Sequence, residues 1–158
     1  MTLGAYILLA ALAGLAATPQ EFARYPAESA LQGDPAAVKL NQPKARRFRT
    51  VLRRAAAAGP NFNGHYTVVH WGCGSNCIEW AVIDLATGDV WFAPEPVVSC
   101  QGLDAGGPTE WLEVSAHSRL MYLNWCSHQH PETTVFDRRT VFEWKDGQAA
   151  IVRSEPLE

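Results

Sequence analysis

No charged side chain occurs in the first 17 residues, Met1 to Ala17. The stretch runs instead through Ala5-Tyr6-Ile7-Leu8-Leu9-Ala10-Ala11-Leu12-Ala13 and reaches Ala16-Ala17 just before Thr18-Pro19. An uncharged apolar run ending in small residues reads as a secretory signal, cut after Ala16 or Ala17. The usual starting Lys or Arg is missing, leaving only the terminal amine positive. A retained membrane anchor is the alternative, because about 17 apolar residues is the lower limit for a span. Gly4, Gly14 and six alanines make such a span weak. No cysteine lies near the cut, which excludes lipid attachment at a new N-terminal Cys.

Other absences remove whole classes of function. The chain has no Gly-x-Ser-x-Gly, and so no nucleophile elbow of the α/β-hydrolase kind. It has no Cys-x-x-Cys-His, which excludes a c-type haem. It carries no recognised nucleic-acid reading motif on a net charge of −3, so a nucleic-acid partner is not expected. Removing 17 of 158 residues leaves 141, the size of one domain.

The net charge conceals two unlike halves. Residues 18–54 hold eight Lys or Arg and three acids, whereas residues 55–158 hold five and thirteen, so the parts carry +5 and −8. The positive part is read as a helix starting at Asn41 or Gln42, with Pro43 in its first turn, and stopping at Gly59-Pro60. Ala45, Phe48, Leu52, Ala55 and Ala56 make an apolar stripe, while Arg46, Arg47, Thr50, Arg53 and Arg54 fall opposite. Those arginines are either a solvated face or a contact for anionic headgroups.

After Pro60 the period changes from helical to alternating. Strands are expected at 65–71, 78–84, 89–92, 110–114, 119–123, 140–144 and 149–153, joined in pairs by short Gly- or Ser-containing turns. Residues 93–109, with Pro94, Pro96, Pro108 and three glycines, read as a long irregular loop.

All four cysteines, Cys73, Cys77, Cys100 and Cys126, follow the apolar start, and an even count in an exported chain reads as two disulfides. Of three possible pairings, Gly72 and Gly74 favour Cys73 with Cys77 across a tight turn, which leaves Cys100 with Cys126. On loop entropy the short bridge contributes roughly 2 kcal/mol and the long one roughly 3.5 kcal/mol. The spacing of Cys73 and Cys77 is one residue too long for a thioredoxin-like pair, so a structural bridge is favoured over a redox one.

The strings Gly59-Pro60-Asn61-Phe62-Asn63-Gly64-His65-Tyr66, Trp71-Gly72-Cys73-Gly74-Ser75-Asn76-Cys77 and Asp84-Leu85-Ala86-Thr87-Gly88 together resemble a group of small uncharacterised secreted proteobacterial proteins. Ser118-Arg119-Leu120 and Trp144-Lys145-Asp146-Gly147 extend the likeness, which covers roughly residues 44–153, and the Trp-Gly-Cys-Gly-x-x-Cys turn is its most specific part. The resemblance implies export and a β-rich fold. It carries no activity, cofactor or site.

Three groups of residues suggest chemistry. Trp71, Trp80 and Trp91 come from successive strands and, beside Asn63, His65 and Tyr66, could form a sugar- or peptide-binding face in place of a plain aromatic core. Cys126, His128 and His130, with His65 and His70 elsewhere, could hold copper or zinc, provided Cys126 is not in a disulfide. Ser75, Ser99, Ser118 and Ser127, or the carboxylate pairs Glu110 with Glu113 and Asp84 with Glu79, are the raw material of a hydrolase.

The resulting expectation is an α+β fold: signal peptide 1–17, N-terminal extension 18–40, and a single domain 41–158. In that domain a basic amphipathic helix packs on an antiparallel β-meander of about six or seven strands, held by disulfides. Its expected function is a periplasmic or secreted binding or structural module of the cell envelope, with no cofactor and no catalysis. A periplasmic copper- or zinc-binding protein and a small secreted hydrolase are the alternatives.

Overall fold

The computed structural model describes residues 19–74, 77–98, 110–126 and 136–157. The apolar start, the greater part of the 93–109 loop, Cys100, His128, His130, Ser75, Ser99 and Ser127 lie outside these residues. No helix among the described residues is long and apolar enough to cross a membrane.

The described strands form two antiparallel sheets of four, where the sequence had suggested one meander. In the first sheet, β1 (Tyr66–Gly74) pairs with β2 (Cys77–Asp84). The far edge of β2 is shared by β3 (Val90–Phe92) and the two-residue β4 (Val97–Val98). Pro94 and Pro96 lie between them, where a missing N–H forbids continued pairing. The second sheet runs in chain order, β5 (Leu112–Val114), β6 (Leu120–Trp125), β7 (Arg138–Lys145) and β8 (Gln148–Pro156). Its last hairpin turns on Asp146 and Gly147 alone, both at positive φ (52° and 73°), the two-residue turn whose twist matches the strands it joins.

Alternation along each strand sorts side chains between two faces. Tyr66, Val68, Trp80 and Val82 of the first sheet meet Met121, Leu123 and Trp144 of the second in one buried cluster. The sheets therefore face each other as a sandwich. Each outer face is then covered by the N-terminal part of the chain.

On the first sheet the cover is helical, as the stripe predicted: Ala45, Leu52 and Ala56 are buried against Val69, Ala81, Ile83, Leu85 and Val90. The helix is broken, however, into α2 (Pro43–Arg47) and α3 (Arg49–Ala57). Phe48 leaves helical geometry at the junction (φ −98°, ψ 18°), and its ring stacks on Trp71 at 4.4 Å between centroids. The second sheet's outer face, with Leu120, Tyr122 and Val141 buried, is covered by Phe22 of the short helix α1 (Pro19–Ala23) and by Tyr25.

Residues 24–42 join these covers as a strap across one end of the sandwich. Ser118 Oγ donates to the Tyr25 carbonyl at 2.7 Å, and the Ala27 amide donates to the His117 carbonyl. Further along, the amides of Leu31, Ala36 and Lys39 donate to the carbonyls of Gly64, Leu85 and Gly88. Gly64 and Gly88 both have positive φ, and a Cβ at either would stand 2.0 Å from the Ser29 oxygen or 2.1 Å from the Ala37 oxygen. Glycine at these two positions is what lets the strap lie against the sheet ends.

Helix α1, which leads into the strap, is fastened by charge. Glu21 accepts from Arg153 of β8 at 2.5 Å. Burial pushes the Glu21 carboxyl up, but the Tyr122 hydroxyl and the Arg153 guanidinium outweigh it and hold the group below the ordinary carboxylate value. Burial, helped by the charge of Glu21, pushes the Tyr122 hydroxyl up. A depressed carboxylate stabilises the fold above its unfolded-state pKa, and this contribution is lost as pH falls through the lower folded value. Stability is thus expected to decline below about pH 4.5. Glu21→Gln should flatten that acid limb, as read from urea midpoints against pH.

Candidate ligand-binding cleft

The two sheets do not close on the side where β3 and β4 form one edge and β8 the other. Inward positions of β6 to β8 continue there past the first sheet, which leaves Ile151 68% exposed although it pairs with inward-facing Phe142. The gap is a cleft of about 570 Å³. Its walls are Trp80, Trp91, Pro94 and Val97 on one side and Leu123, Trp125, Phe142, Ala149 and Ile151 on the other. That volume lies within the few hundred to about 1,000 Å³ usual for small-molecule sites.

Among the described residues, polar groups in the cleft are few. Thr140 Oγ1 accepts from Trp125 Nε1 at 3.1 Å and lies 3.2 Å from Ser154 Oγ. Glu95, on the exposed proline-flanked turn, is the one charged side chain on the wall among the described residues. Such a lining offers large apolar contact and little hydrogen bonding. A lining of this chemistry suits apolar surface better than charge.

The residues singled out from the sequence fall into three places. Trp80 and Trp91 enter the cleft, with ring centroids 5.4 Å apart. Trp91 also borders a smaller hollow of about 300 Å³ shared with Tyr66, Trp144, Asp84 and Asp89. Trp71 is in the same sheet but on its opposite face, because it pairs with Glu79 and so alternates away from Trp80. Its Nε1 donates to Glu79, which also accepts from Lys44. The Lys44 and Trp71 hydrogen bonds hold the Glu79 carboxyl below its ordinary value.

Asn63 and His65 serve the strap. Asn63 is fully buried, and its Oδ1 accepts from the Glu28 amide at 2.9 Å. His65 Nδ1 lies 2.9 Å from the Ser29 carbonyl oxygen and 3.3 Å from Ser29 Oγ, while Nε2 is 3.8 Å from Asp84 Oδ1. A serine, a histidine and an aspartate thus meet, with a serine that sequence reasoning had not singled out. The shortest contact fixes their role: a ring nitrogen facing a carbonyl must carry hydrogen, and an Nδ1–H cannot take the serine's proton. Asp84 meanwhile caps its own turn by accepting from the Ala86 and Thr87 amides. The arrangement clips the strap to the sheet.

The remaining candidates are dispersed. Ser118 is buried beneath the strap. Glu113 is ion-paired with the buried Arg139 at 3.0 Å, apart from Asp84 and Glu79. Cys73 and Cys77 form a disulfide at the tip of the β1–β2 hairpin, as the glycine-flanked spacing suggested. Cys126 is also disulfide-bonded, so its sulfur is not a thiolate ligand. His70 packs edge-on to Trp111. Among the described residues no group of three His, Cys, Asp or Glu side chains converges on a metal position.

Apart from Trp80, Trp91 and Cys126, sequence reasoning assigned none of the cleft residues to a site, Trp125, Phe142, Ala149 and Ile151 among them. Comparison with protein-family models, curated proteins and solved structures finds no match to this chain.

Proposed function

We propose that this protein is an exported binding module whose ligand is a small, largely apolar molecule seated between the two sheet edges. The tryptophan-walled cleft carries the reading, because it joins an adequate volume to a lining that, among the described residues, has almost no free polar group. Export, to the periplasm or beyond the cell, is supported by the uncharged apolar start and by disulfide bonding at Cys73, Cys77 and Cys126.

The test is titration with the neutral fluorophore 1-N-phenylnaphthylamine, following probe emission and tryptophan quenching together. Wild-type protein is expected to bind with one site. Ala149→Phe, which places a ring in the cleft from a half-buried position, should weaken binding by about tenfold or more. Equal binding by both proteins, or binding by neither, removes the cleft as the seat.

A further inference from the structure

The basic face of α2 and α3 is a second surface that the cleft does not use. Residues 43–54 contain six cations and no acid. Lys44 is neutralised by Glu79, but among the described residues Arg46, Arg47, Arg49, Arg53 and Arg54 form no ion pair. Arg46 and Arg49 donate only to backbone carbonyls, which leaves their charge uncompensated. All five are exposed. Arg49 and Arg53 stand four apart on one helix, where like charges repel, so the free protein carries a standing cost that an opposed negative surface would relieve.

We propose that this face docks the protein on an anionic lipid surface. The pattern of charge distinguishes that partner from a wrapping polyanion. Residues 55–158 carry a net charge of −8, so a flexible nucleic acid or acidic polymer leaving the helices would meet repulsion, whereas a planar surface touches the basic face alone. Phe48, the one aromatic within residues 43–54, is half-buried and already engaged, stacked on Trp71 with the Arg47 guanidinium 5.3 Å from its centroid, so it is not offered to a base. The helices' apolar side is already packed on the sheet, so they do not insert. Attachment is by charge, and salt reverses it.

Co-sedimentation of the whole protein with vesicles tests this, comparing phosphatidylglycerol mixed with phosphatidylethanolamine against phosphatidylcholine alone. An apolar N-terminal segment would contribute equally to both, so the difference between vesicles is the readout. Binding to anionic vesicles at about 0.05 M salt is expected to exceed the neutral control at least tenfold, and the excess to vanish near 0.5 M. The triple replacement R47Q, R53Q and R54Q should weaken anionic-vesicle binding by up to about a hundredfold, roughly fivefold per guanidinium, and so erase a tenfold excess, while the corresponding triple lysine variant retains it. Unchanged thermal unfolding of both variants shows that charge, and not folding, was altered. Equal binding to both vesicle types, or an anionic preference that survives the glutamines, overturns the proposal. So does retention on a soluble polyanion such as heparin without vesicle binding.

Discussion

Gly64→Ala is expected to lower the free energy of unfolding by about 2–4 kcal/mol, combining roughly 1 kcal/mol for a left-handed alanine with 1–3 kcal/mol for forced overlap. The overlap is with backbone: the new methyl would stand 2.0 Å from the Ser29 carbonyl oxygen, which cannot rotate away as a side chain could. Gly88→Ala meets the Ala37 oxygen at 2.1 Å and should behave alike. Gly33→Ala and Gly59→Ala are the controls, since both glycines have positive φ but nothing within 4 Å of the added carbon. Urea unfolding of the four variants separates the two costs. If the controls lose as much as Gly64→Ala, close approach of the strap is not what these glycines permit.

Removal of residues 1–40 is expected to abolish cooperative unfolding altogether. The cut strips Phe22 and Tyr25 from the cluster of Leu120, Tyr122 and Val141, and Leu31, Val38 and Leu40 from the edge of the helical layer. Five partly buried apolar side chains at roughly 1–2 kcal/mol each sum to about 5–10 kcal/mol, comparable to the whole stability of an ordinary domain. Loss of near-ultraviolet circular dichroism with gain of dye binding would report it. A truncated chain that still melts sharply would show that the strap decorates a sandwich stable without it.

The sequence made the strands legible because each has one face in a core and alternates accordingly. Two of its turns were equally plain, Asp84 to Asp89 and Lys145 to Gln148, since Gly88 and Gly147 supply the positive φ that each requires. The division into two sheets was not legible: alternation says which side chains are inward but not across from which sheet. For the same reason Trp71 was grouped with Trp80 and Trp91. Only the pairing of Trp71 with Glu79, fixed by the irregular register between Gly72 and Gly74, assigns it to the other face. A signal for the missed cleft residues did exist. Met121, Leu123 and Trp125 alternate inward on β6, and Phe142 with Ile151 follows from the Asp146-Gly147 turn. Strap contacts had no local signal, because Ser29 and His65 are 36 residues apart.

That separation is small beside others made by the N-terminal part of the chain. Tyr25 is bonded to a residue 93 positions later and Glu21 to one 132 positions later. Contacts so remote in sequence close only after a large loop has been ordered, and chains dominated by them fold slowly. Glu21 cannot find Arg153 until β8 exists, and Tyr25 cannot find Ser118 until the turn before β6 is made. The first part of the sandwich to be synthesised is therefore the last to be fastened. Until then the outer face of the second sheet, Leu120, Tyr122 and Val141, lies bare of Phe22 and Tyr25, which makes the almost complete chain the species most prone to aggregate.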